Sequence, residues 1–200
     1  MNQTLPKPPS YNLRTFVAYV EDKPGVLNRI ASLFRRRNYN IVSLNVGRTH
    51  EPGISRMTFQ VEADADMALR IEANLYKMVN VLSIEDITEV QRVVRDLALI
   101  KVSVDQSRRG DVLNLVQIFR ARAVDVSPDS LTVEVTGDQA KIQGMVAALS
   151  PFGILEMVQT GTVAMSRGPQ GRAAQMAHRP LGGRSPLRAV SLAQPPISLA

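Results

Sequence analysis

Val26-Leu27-Asn28 returns 86 residues later as Val112-Leu113-Asn114, and the next apolar helix positions, Ile30 and Leu33, fall on Val116 and Phe119. A motif that recurs in this way means that the chain builds one supersecondary unit twice. The first copy follows a run that is apolar on both faces, as in a well-buried strand, Phe16-Val17-Ala18-Tyr19-Val20, and the second follows the strand Leu97-Ala98-Leu99-Ile100-Lys101-Val102-Ser103-Val104. In the first copy a strand over 14–20 leads to a helix over 24–37. Val26, Ile30, Leu33 and Phe34 form that helix's apolar stripe. Strands over 41–46 and 54–61 flank the turn His50-Glu51-Pro52-Gly53. A helix over 65–78 and a strand over 81–89 close the unit. The second copy reads as a strand over 97–104, a helix over 111–122, strands over 124–127 and 131–136, a helix over 139–149 and a strand over 154–165. The expected fold is therefore α+β, two tandem ferredoxin-like βαββαβ units joined near 91–95.

The first copy holds the residues that suggest chemistry. Its strand ends and its helix begins around Glu21-Asp22-Lys23-Pro24-Gly25-Val26-Leu27. Pro24 suits a first helical turn, having no N–H to lose and a φ already set for the helix. Gly25 carries no side chain, so another molecule can approach its backbone. The free N–H groups at a helix start attract anions, and Asp22 beside them can hold a cation. A free amino acid carries both charges on one carbon. The same residues also suit a helix that Asp22 merely caps, with nothing bound. The second copy departs here. It has Arg108-Arg109-Gly110-Asp111 in place of Asp22-Lys23-Pro24-Gly25, and Ala121-Arg122-Ala123 in place of Asn38-Tyr39-Asn40.

The glycine turn resembles that of the ACT domain, an amino-acid-sensing module of biosynthetic enzymes. Together with Arg37-Asn38-Tyr39-Asn40-Ile41 and Ser55-Arg56-Met57-Thr58 it resembles the regulatory (small) subunit family of acetolactate synthase, over about residues 13–166. The resemblance implies an N-terminal ACT domain over 13–90 and an ACT-like C-terminal domain over 95–166. A flexible arm over 1–12 and a disordered basic tail over 167–200 flank them. It further implies a homodimer through the ACT domains and a separate catalytic (large) subunit, which the chain activates and places under feedback inhibition by valine. Thiamine diphosphate, Mg²⁺ and FAD would belong to that partner, with no cofactor in this chain. The implied effector site is Asp22, Gly25, Val26, Asn40 and Ile41, with Asn40 reaching across the dimer. Some family members have Asn where this chain has Asp22, and Val42 replaces an acid that is frequent in the family.

Other functions find little support in the composition. The net charge is +6, but Arg167, Arg172, Arg179, Arg184 and Arg188 lie beyond residue 166 with no acid among them, so the body is nearly neutral. Aromatic residues are 4% of the chain, and no strand carries the aromatic run of an RNA-recognition module, the alternative use of a ferredoxin-like sheet. An amino-acid sensor serving some other enzyme is a second alternative. Cysteine is absent, which excludes disulfides and thiolate chemistry. The two histidines, His50 and His178, stand in a turn and in the tail, with no paired nucleophile or metal-ligand cluster. No catalytic residue is expected. Asp64 and Asp66 read as charges favoured at a helix start, and Arg35-Arg36-Arg37 as basic residues favoured at a helix end. Without a membrane-spanning apolar run or a secretory signal, a cytoplasmic protein is expected.

Overall fold

The computed structural model describes residues 12–168. The arm expected over 1–12 and the tail expected over 167–200 lie outside that range, apart from Asn12, Arg167 and Gly168. In the first unit β1 (Asn12–Glu21), α1 (Val26–Arg36), β2 (Ile41–Arg48), β3 (Ile54–Ala63), α2 (Ala65–Tyr76) and β4 (Val81–Asp86) follow one another. The second unit repeats the order with β5 (Arg92–Ser103), α3 (Arg109–Ile118), β6 (Arg122–Val126), β7 (Ser130–Gly137), α4 (Gln139–Leu149) and β8 (Ile154–Gln159), then adds β9 (Val163–Ser166). Both sheets are antiparallel, in the orders β2-β3-β1-β4 and β6-β7-β5-β8. These are the tandem ferredoxin-like units that the repeat predicts.

Strand alternation builds each core. Phe16, Ala18 and Val20 of β1 and Met57, Phe59 and Val61 of β3 turn to one face and meet Val26, Ile30 and Phe34 of α1 and Ile71 and Leu75 of α2. Phe59 stacks on Phe16 at 5.2 Å between ring centroids and takes the edge of Phe34 at 5.3 Å. The second core repeats the scheme with Ala98, Ile100 and Val102 of β5 under α3 and α4.

The opposite face of the first sheet is covered too. β9 pairs with the first residues of β5, from Arg92 to Arg95. Ala164 and Val94 of this ribbon pack with Val17, Tyr19 and Ile87. Hence β1 is apolar on both faces: one lies under helices, the other under a ribbon from the second unit. Thr162 is buried there, its N–H bonded to Ser43 Oγ at 2.8 Å and its hydroxyl to Gln60 Oε1 at 3.1 Å. Arg56 donates to the Ala164 carbonyl. Gly161 lies so close to β2 that a Cβ would stand 2.3 Å from the Leu44 carbonyl oxygen.

Several boundaries differ from expectation. α1 begins at Val26 rather than Pro24, because Gly25 has φ +82°, outside the right-handed helical region. α2 ends at Tyr76 rather than Met78, and β4 at Asp86 rather than Glu89. α3 ends at Ile118, since Arg120 turns back at φ +48° and Arg122 already begins β6. The strand expected over 154–165 is two strands, interrupted at Thr160-Gly161-Thr162 where the chain crosses from β8 onto the first sheet. Arg92 to Arg95, expected to fall at the join, is instead the first third of a twelve-residue strand and pairs with β9 in the ribbon.

Candidate effector site

The site begins with a helix start that has no side-chain cap. Gly25 occupies the N-cap position of α1 in the left-handed conformation. α2 and α4, by contrast, are capped by Asp64 and Asp138, which accept from Met67 N–H at 2.7 Å and Lys141 N–H at 2.9 Å. At α1 the Val26 N–H reaches the Lys23 carbonyl at 3.4 Å and the Arg29 N–H reaches Gly25 at 3.0 Å. The N–H groups of Leu27 and Asn28 have no partner among the described residues. They point out of the helix start with its partial positive charge. A Cβ on Gly25 would meet nothing within 4 Å, so open space lies over the turn.

Asp22 is exposed beside this end and does not cap it. Its N–H donates to the Gly53 carbonyl at 2.8 Å, and its carboxylate forms an ion pair with Arg48, Nε lying 3.2 Å from Oδ2. The Arg48 side chain is 87% exposed, so this ion pair is weak and another cation can replace it. Val26, expected in the effector site, has its side chain buried in the core and its N–H turned to the Lys23 carbonyl.

Asn40 and Ile41 stand elsewhere. Ile41 opens β2 opposite Val61, which also faces Arg14 of β1. Glu21 lies seven residues further along β1, about 23 Å at 3.3 Å per residue. One chain therefore brings Asp22 and Gly25 together but sets exposed Asn40 and half-buried Ile41 at the far end of α1. β2 is an edge strand of the sheet, and Val42 and Val46 on it are 50% and 42% exposed.

Sequence reasoning missed the frame behind the turn. Asn80, between α2 and β4, donates from Nδ2 to Glu21 Oε2 at 2.6 Å and accepts at Oδ1 from Arg29 Nη1 at 2.9 Å. Lys23 Nζ lies 3.1 Å from the same Glu21 oxygen. The Asn80 amide, and after it Lys23, holds the Glu21 carboxyl below the usual carboxylate range. Asn80 is 59 residues from Glu21, so no local spacing joins them. No cluster of three or more His, Cys, Asp or Glu side chains that could hold a metal occurs among the described residues. No described helix is long and apolar enough to cross a membrane.

A ferredoxin-like sheet whose first helix starts at a left-handed glycine beside an acid is the architecture of an ACT domain. Residues 16–83 match the family model described as an AHAS small subunit-like ACT domain, and 95–168 match that of the small subunit of acetolactate synthase. The chain belongs to the acetolactate synthase small subunit family. It is 48% identical over 157 residues to the acetolactate synthase small subunit of Mycobacterium bovis, covering 78% of this chain and 94% of that one. Its likeness to the same subunit of Aquifex aeolicus is 50% over 149 residues, covering 74% and 78%. The crystal structure of the small subunit from Thermotoga maritima superposes with a TM-score of 0.75 at 35% identity, covering 80% of this chain and 99% of that one.

Proposed function

We propose that this chain is the regulatory subunit of an acetolactate synthase, activating a catalytic subunit and making it sensitive to valine. The observation that carries the sensing half is the uncapped start of α1 beside Asp22. Valine's carboxylate accepts from the Leu27 and Asn28 N–H groups, its ammonium displaces Arg48 from Asp22, and its isopropyl group lies over Gly25. Residues 13–90 are the sensor and 95–166 a second, non-sensing unit. The catalytic subunit supplies thiamine diphosphate, Mg²⁺ and FAD; this chain supplies no cofactor, works in the cytoplasm and binds neither nucleic acid nor membrane.

Two copies complete the site. β2 offers its free edge, and antiparallel pairing of two such edges makes a closed, two-fold dimer. A register centred on Leu44 sets the partner's Asn40 opposite Arg48, the residue that holds Asp22. Asn40 and Ile41, remote from the turn in one chain, then close it in the dimer.

The test is reconstitution. The full chain is added to a purified acetolactate synthase catalytic subunit, and acetolactate formation is followed with and without valine. Stimulation that valine reverses is expected. A chain that neither associates with the catalytic subunit nor raises its rate contradicts the reading.

A further inference from the structure

We propose that Asn80 is a positioning residue of the effector site, fixing the glycine turn through Glu21 and Arg29 without touching the ligand. The inference rests on the sensor reading above. Because α1 lacks a side-chain cap, something else must hold its first turn against the end of β1. Asn80 joins both. Its carbonyl accepts from the Glu21 N–H at 2.9 Å, its amide nitrogen donates to Glu21 Oε2, and its amide oxygen accepts from Arg29, one turn into α1. Glu21 and Asp22 are adjacent and serve opposite sides. Glu21 turns inward and is satisfied by Asn80 and Lys23, while Asp22 is left to present the negative charge. The brace therefore sets where the free N–H groups point and which carboxylate meets an ammonium. A misplacement of this end by an ångström would spoil both contacts at once.

The test is a swap of partners. Asn80→Ala is expected to weaken valine binding by roughly tenfold in calorimetry on the full chain, as for a lost hydrogen bond to a charged group. Asn80→Asp should be at least as weak, because it sets two carboxylates at the Glu21 contact. Glu21→Gln with Asn80→Asp restores one amide and one carboxylate in exchanged places, and should recover affinity to within about threefold of the parent. Stimulation of the catalytic subunit should be unchanged throughout. Amide exchange over residues 22–28 in the ligand-free chain should quicken in Asn80→Asp and slow again in the double variant. Parent-like affinity in Asn80→Ala, or a double variant no better than Asn80→Asp, overturns the proposal. A parent chain that binds no valine refutes the sensor reading, and the brace is then judged by exchange: recovery in the double variant upholds it, unchanged exchange overturns it.

Discussion

Two carboxylates of the first unit respond to burial and partners in opposite ways. Glu72 accepts from the Asp86 N–H at 2.7 Å, but burial, with the charges of Asp86 and Glu85 nearby, pushes its carboxyl above the usual range. The native state thus holds this proton more tightly than the unfolded chain does. Its contribution is present in acid and is lost as pH rises from about 4.5 through the raised value. Glu21 has the opposite sign: its folded value is depressed, so its contribution is present above about 4.5 and is lost as pH falls through the lower value. Thermal unfolding against pH separates them. Glu72→Gln should melt higher than the parent at pH 7 to 8, with the gain shrinking toward pH 4. Glu21→Gln should melt lower at pH 7, with the deficit closing in acid. A Glu72→Gln variant less stable at neutral pH would show that the bond to the charged form outweighs burial.

The elements themselves were largely legible, because their signals are local. Ile30 and Phe34 mark the buried stripe of α1, and Met57, Phe59 and Val61 mark the buried face of β3, as their spacings imply. Less was legible where a distant segment decides. The backbone at Gly25 starts α1 two residues late, and Asp22, which could have capped it, turns to Arg48 instead. Nothing in 154–165 announces a break, since its cause is the fit of Gly161 against β2. β5 carries the apolar run Leu97-Ala98-Leu99-Ile100, yet Leu99 is 38% exposed, because among the described residues no ribbon covers the second sheet as β9 covers the first. The close fit gives a test. Gly161→Ala puts a Cβ against immovable backbone and should cost about 1–3 kcal/mol, as overpacking does. Gly47→Ala, whose Cβ would meet nothing within 4 Å, serves as the control. Equal denaturation midpoints for the two would mean that the ribbon does not sit tightly on the first sheet.

At the scale of the whole molecule, two units of one fold differ at the start of their first helix. The first keeps a helix start that holds no side chain and an edge strand that ends beside it. The second keeps the fold but has Arg108 at the corresponding helix start, and lends β9 to cover the first sheet. The site divides in the same way. Asp22 and Gly25 lie at one end of α1, Asn40 and Ile41 at the other, so the cage proposed above needs two copies. Asp22→Ala and Asn40→Ala should each weaken valine binding roughly 10- to 150-fold, the range for losing a hydrogen bond to a charged group. The decisive measurement is calorimetry on dimers that carry two different tags, one chain Asp22→Ala and its partner Asn40→Ala. If the site is shared, one of the two sites in such a dimer loses both residues and the other loses neither. One valine per dimer should then bind with the parent's affinity, although either variant alone binds none so tightly. A mixed dimer with no restored site would contradict the shared cage.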